Sequence, residues 1–142
     1  MNARVFLDTN ILVYAIEEGE PSKKKTSTAR TLVADASWMS STQVLGEFYR
    51  ATTARRRAVP LLHEEAIAWV QLWKRWPVSP ILPPHVDLAL ELCGRCQIGY
   101  YDALILSAAR LAGCFLVYSE DLNSGQEYGG VLVQNPFVAG AG

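Results

Sequence analysis

The 142-residue chain has little cysteine, little histidine and almost no net charge: three cysteines, two histidines, and 13 Lys+Arg against 14 Asp+Glu for a formal charge of −1. Each shortage excludes something. Cys93, Cys96 and Cys114 are odd in number and too few for a disulfide framework, which fits a reducing compartment, so a cytoplasmic protein is expected. Cys93-x-x-Cys96 has no second pair, and a structural zinc site needs four ligands, so zinc is not expected. His63 and His85 fall at helix starts, read as solvated ends, and sit in no general-base motif. A charge near zero creates no global field for a polyanion, so a nucleic acid would need a local patch or a bound cation. The apolar run from Val5 to Ile16 is broken by Asp8 and Asn10 and is shorter than the roughly 20 residues of a membrane span. No small-residue cleavage site follows it, so neither anchor nor signal peptide is expected, and no membrane partner.

What the chain does have is apolar residues, 50% of the total. Its length falls within the roughly 100–200 residues of one domain and allows a core without disulfides or a structural metal. One domain is expected over residues 1–138, with 139–142 a frayed, disordered tail.

Val5-Phe6-Leu7 reads as a buried strand, Asp8-Thr9-Asn10 as a turn and cap, and Ile11 to Ile16 as a helix. A polar loop from Glu17 to Lys25, with Gly19 and Pro21, leads to a helix through Ala29, Leu32 and Val33. Ala36 to Ser40 reads as a strand. Ser41-Thr42 caps a helix with Val44, Leu45, Phe48 and Thr52 on one arc, Glu47 at its margin, and Arg55-Arg56-Arg57 at its end. A helix after Pro60 carries Ala66, Trp69, Val70 and Trp73, and Ile81-Leu82 reads as a brief strand. Pro83-Pro84 opens a helix with Val86, Ala89, Leu90 and Cys93 on one face. Gly99 breaks it from a helix through Leu104, Ala108 and Leu111, which ends at Gly113. Cys114 to Tyr118 and, after the turn at Gly129-Gly130, Val131 to Val133 are the last strands. Apolar strands alternating with amphipathic helices predict a three-layer α/β/α sandwich with a mostly parallel sheet.

Ligands of such sheets sit beyond the carboxyl ends of the strands, where Asp8 and Glu120-Asp121 fall. Asp102 opens an almost wholly apolar helix, and Glu47 interrupts a buried one beside Gly46, read as a point of close approach. A carboxylate in an apolar setting must be paired or bind a cation. If Asp8, Glu47, Asp102 and Asp121 converge, Mg²⁺ or Mn²⁺ relieves their repulsion with oxygen ligands, and the chemistry then indicated is phosphodiester hydrolysis. Acids at strand ends also serve as helix caps, so convergence is what gives them meaning.

The segments Phe6-Leu7-Asp8-Thr9-Asn10-Ile11-Leu12-Val13-Tyr14-Ala15, Thr42-Gln43-Val44-Leu45-Gly46-Glu47-Phe48, Tyr101-Asp102-Ala103-Leu104-Ile105 and Ser119-Glu120-Asp121-Leu122 resemble, in order and spacing, the motifs of PIN-domain ribonucleases, particularly VapC-like toxins of toxin–antitoxin pairs. With Asn135-Pro136-Phe137 the resemblance spans nearly the whole domain. It implies a PIN-like fold, Mg²⁺- or Mn²⁺-dependent cleavage of RNA, a homodimer, and inhibition by a cognate antitoxin. Asp8, Glu47 and Asp102 match the three acids of the family, and Asp121 the fourth, with Glu120 beside it as the other candidate. Asn10 and Ser119 match supporting positions, Ser119 where threonine is frequent. In these roles Asp8, Asp102 and Asp121 hold metal directly or through water, and Glu47 ligates or orients the attacking water.

Two other readings stand beside this one. A haloacid-dehalogenase-like phosphatase also puts an aspartate after its first strand, but needs a second acid where Asn10 stands. A non-catalytic PIN-like binding module would use Trp69, Leu72, Trp73 and Trp76 as a contact surface, a stripe that reads first as core. Lys23 to Lys25 and Arg55 to Arg57 read as solvated charge or, alternatively, as contacts to an RNA backbone.

Overall fold

Asp8 closes the first strand, β1 (Val5–Leu7), and its carboxylate accepts the Thr9 N–H at 2.7 Å to cap α1 (Thr9–Ala15). The computed structural model describes residues 5–18, 23–35 and 37–138. The predicted tail, Gly19 and Pro21 of the predicted loop, and Ala36 lie outside the described residues.

The chain continues through α2 (Lys23–Ala34), β2 (Trp38–Ser41) and α3 (Thr42–Thr53). Ser41 caps α3 by accepting the Val44 N–H at 3.3 Å. Then come α4 (His63–Trp73), β3 (Val78–Ser79), α5 (Pro83–Cys96), α6 (Tyr100–Leu111), β4 (Leu116–Tyr118), β5 (Glu127–Tyr128) and β6 (Val131–Gln134). The strands form one six-stranded sheet in the order β3-β2-β1-β4-β6-β5, parallel except for the β5–β6 pair.

This order fixes where a ligand can sit. From β1 the chain steps outward to β2 and β3, then returns through α5 and α6 to β4 on the other side of β1. Right-handed crossovers put α1 to α4 on one face and α5 and α6 on the other, giving three layers. The direction reverses between β1 and β4, so a crevice opens beyond their carboxyl ends. Leu7 pairs with Tyr118, and the Asp8 N–H donates to the Tyr118 carbonyl at 3.0 Å, setting Asp8 beside the segment that follows β4.

Phe6, Leu7, Ile11, Val44, Phe48, Ile105, Leu106, Val117 and Val133 are buried in one core. The tryptophans extend it. Trp38 stacks on Trp76 with centroids 4.6 Å apart, Trp69 stacks on Trp73 at 5.5 Å, and Phe48 meets Trp73 edge-on at 5.8 Å. The stripe on α4 is core packing here, with Trp73 only 2% exposed.

Several sequence expectations are corrected. α3 ends at Thr53 because Ala54 is extended, so Arg55 to Arg57 lie beyond the helix rather than in its last turn. Ile81 and Leu82 are not a strand; the strand is Val78–Ser79, pairing with Ser40 and Ser41, and Leu82 caps α5. His85 is buried, not solvated: its Nδ1 accepts the Leu82 N–H at 3.0 Å, which leaves the ring proton on Nε2, 3.4 Å from the Ser79 hydroxyl. α5 therefore buries His85, Ala89 and Leu92, while Leu90 is exposed. Leu111 is exposed as well. Gly46 faces open space, and a side chain there would meet no other part of the fold within 4 Å of its Cβ. Glu127–Tyr128 adds a strand that was not expected, joined to β6 by Gly129 and Gly130, both at positive φ (56° and 93°) as a tight primed hairpin turn requires.

Among the described residues no helix is long and apolar enough to cross a membrane. Trp73→Ala is expected to cost about 3–5 kcal/mol of unfolding free energy, because the cluster cannot close over the lost indole. Leu90→Ala is expected to change stability by less than about 0.5 kcal/mol. Urea denaturation of both variants checks the pair, and equal losses would contradict the burial described.

Candidate active site

Asp8 sits at the end of the central strand and is only 4% exposed. Its Oδ1 accepts the Thr9 N–H and its Oδ2 accepts the Ser119 hydroxyl at 2.7 Å. Those two bonds favour the charged carboxylate, but burial outweighs them, and Asp121 and Glu47 add repulsion. The carboxyl is pushed up from 3.8 to about 7.

Glu47 projects from the middle of α3, where Ser41 has started the helix in register. Its Oε1 accepts the Thr9 hydroxyl at 2.7 Å, and its Oε2 accepts from the Gln43 amide at 3.1 Å, one turn earlier. The same amide nitrogen reaches the Tyr101 carbonyl at 3.1 Å, tying α3 to the start of α6. Asp102 stands in the first turn of α6, where the helix dipole favours an anion. Its carboxyl is raised first by burial, then by Asp121 and Glu47. Asp102 has no side-chain hydrogen bond among the described residues.

Beyond β4, the Ser119 hydroxyl that donates to Asp8 also accepts the Asp121 N–H at 3.1 Å. Asn10 spans the loop from the other side. Its amide nitrogen donates to Asp121 Oδ2 at 3.1 Å, and its carbonyl accepts the Glu120 N–H at 3.2 Å. Glu120 points into a separate group: its Oε1 accepts the Tyr14 hydroxyl at 2.8 Å, and its Oε2 pairs with Lys25 Nζ at 2.5 Å.

Asp8, Glu47, Asp102 and Asp121 thus line one cavity of about 960 Å³. Repulsion between them reaches across it, since Asp121 and Glu47 act on both Asp8 and Asp102. Among the described residues no three His, Cys, Asp or Glu side chains converge closely enough to share one ion. Arginines line the cavity as well: Arg50, one helical turn beyond Glu47 on α3, with Arg56 and Arg57, whereas Arg55 does not. Arg57 is engaged, paired with Glu17 at 3.2 Å.

Sequence reasoning missed Thr9, Gln43, Arg50 and the Tyr14–Lys25 pair. Thr9 and Gln43 carried a readable signal, since Thr9 lies between two singled-out residues and Gln43 is one helical turn before Glu47. Lys25 was legible only as part of a charge run, and its pairing with Glu120, 95 residues away, carried no signal.

A folded-state carboxyl raised to about 7 retains a proton that the unfolded chain releases near 4. Stability therefore falls as pH rises between those values. In chelator-containing buffer, Asp8→Asn is expected to be more stable than wild type by about 2–4 kcal/mol at pH 7.5, an advantage that vanishes by pH 4. Denaturant curves across this range test it; parallel pH profiles would contradict the buried proton.

Residues 5–124 match the family model described as PIN domain. Comparison with curated proteins finds no match. Solved structures do match. The crystal structure of Mycobacterium tuberculosis VapC20, described as a sarcin–ricin loop cleaving toxin, is 23% identical with a TM-score of 0.64, over 82% of this chain and 89% of that one. Rickettsia felis VapBC2, bound to a DNA fragment from its promoter, is 19% identical with a TM-score of 0.64, over 92% and 97% of the two chains. DNA-bound VapBC from Salmonella typhimurium is 18% identical with a TM-score of 0.65, over 94% and 98%. These likenesses concern the fold, and the family match runs from β1 through the acids after β4: the chain belongs to the PIN-domain family.

Proposed function

We propose that this protein is a divalent-metal-dependent endoribonuclease, the toxin of a toxin–antitoxin pair, cytoplasmic and homodimeric. The observation that carries the reading is the gathering of Asp8, Glu47, Asp102 and Asp121 around one cavity that arginines also line. Family membership supports it, because PIN domains are nucleases. Solved VapBC structures that share this fold support an antitoxin partner.

The donor set fits a hard cation. All four groups are carboxylates, and the raised carboxyls of Asp8 and Asp102 are repulsion and desolvation that a divalent ion would relieve. Asp8, Asp102 and Asp121 would hold Mg²⁺ or Mn²⁺, in part through water, as Mg²⁺ commonly does and as their spread around the cavity suits. Bound there, the ion supplies Lewis-acid stabilisation of charge on phosphate oxygens. Glu47 orients the attacking water, itself aligned by Thr9 and Gln43. Ser119 and Asn10 fix the carboxylates of Asp8 and Asp121 through their hydrogen bonds.

Arg50 and Arg56 face the same cavity and suit phosphates flanking the scissile one. Arg55 and Arg57 contribute to the field around them. Exposed Tyr101, beside Asp102, offers a face on which an unpaired base can stack.

Calorimetric titration with Mn²⁺ is the direct test. Wild type is expected to bind, and folded Asp8→Asn and Asp102→Asn to lose binding and at least about a hundredfold of RNA cleavage. A folded Asp8→Asn variant with full metal-dependent cleavage would sink the reading. Phosphate release from small phosphomonoesters without RNA cleavage would transfer it to a phosphatase. Reversing Arg50 and Arg56 to glutamate is expected to weaken RNA binding and flatten its salt dependence. An unchanged salt slope would remove both arginines from the RNA path.

A further inference from the structure

Two adjacent acids follow β4, and their surroundings differ. Asp121 is held by neutral donors, the Asn10 amide on its carboxylate and the Ser119 hydroxyl under its N–H. Glu120 is held by a cation and a phenol, Lys25 from α2 and Tyr14 from α1. Lys25 Nζ is itself fixed. It donates to the Tyr14 hydroxyl at 3.3 Å and lies 5.0 Å from the centroid of the Tyr14 ring and 5.7 Å from that of Phe137. Tyr14 meets Phe137 edge-on at 5.0 Å, so the group draws on α1, α2, the loop after β4 and the segment after β6.

A side chain anchored at position 120 constrains the backbone on which Asp121 stands. The Glu120 N–H is already bound to Asn10, the residue that also holds the Asp121 carboxylate. Glu120 and Asp121 both line the cavity, but with the Glu120 carboxylate bound to Lys25 and Tyr14, Asp121 is the one of the two that acts on Asp8 and Asp102.

We infer that Lys25, with Tyr14, is a positioning residue: by holding Glu120 outside the acidic centre it commits Asp121 to the metal, an assignment resting on the metal-dependent reading above. The opposing expectation is purely electrostatic. A cation near an acidic site repels a second cation, so removing Lys25 would on that ground tighten metal binding. The positioning role predicts the reverse sign.

The test is Mn²⁺ calorimetry on wild type, Lys25→Met, Lys25→Arg, Tyr14→Phe, Asp121→Asn and the Lys25→Met/Asp121→Asn double variant, each checked by circular dichroism. Lys25→Met is expected to bind at least about fivefold more weakly, with Lys25→Arg within about twofold of wild type. Tyr14→Phe keeps the ring against Phe137 and loses only the hydroxyl, so it weakens binding in the same direction even if Lys25→Met fails to fold. The double variant binds no more weakly than Asp121→Asn alone, because Lys25 acts through Asp121. If wild type binds and Lys25→Met binds as tightly or more tightly, or if its loss adds to that of Asp121→Asn, this inference falls alone. Wild type that binds no Mn²⁺ overturns the metal-dependent reading and this inference with it.

Discussion

The carboxylate of Asp8 is the constraint around which this fold is arranged. It ends the central strand, caps the first helix and is 4% exposed, so its charge has been taken out of water at the point where the sheet reverses direction. Desolvating a carboxylate is costly, and the protein offsets that cost only in part, with one backbone and one hydroxyl donor. The remainder appears as a carboxyl that holds its proton to about pH 7.

The distribution of donors around the acids follows a pattern. Asp8, Glu47 and Asp121 receive hydrogen bonds from neutral groups: a backbone N–H, the hydroxyls of Ser119 and Thr9, and the amides of Gln43 and Asn10. The cations are spent on two other acids of the same cavity, Lys25 on Glu120 and Arg57 on Glu17. Neutral donors orient a carboxylate without cancelling its charge, whereas an ion pair would neutralise it. The centre therefore keeps its negative potential, and the basic groups at its edge stabilise the loops that carry it.

This division explains what could be read from sequence. The acids announce themselves locally: Asp8 by ending an apolar strand, Glu47 by intruding on a capped amphipathic helix, and Asp102 by opening an apolar one. Helices such as α3 and α4 were legible because their apolar period and caps lie within a dozen residues. The two-residue strands were not. Val78–Ser79 and Glu127–Tyr128 are too short to show alternation, and only the Gly129-Gly130 pair hinted at the second. His85 was misread because its burial depends on a bond to the Leu82 backbone and on Ser79, neither visible as a pattern. Likewise the Lys25–Glu120 pair joins residues far apart in sequence, so only the closed sheet reveals it.

A proton and a divalent ion are, on the proposed reading, two answers to the same electrostatic problem. With its carboxyl raised to about 7, Asp8 still holds part of its proton near neutral pH, and a cation that binds there competes with that proton. Burial that leaves the site destabilising when charged thus also readies it for a charge from outside. Were Asp8 paired with an internal lysine instead, the fold would gain a satisfied carboxylate and lose its reason to bind an ion. The placement of Lys25 on Glu120, one residue away from Asp121, keeps those two outcomes apart in one short loop.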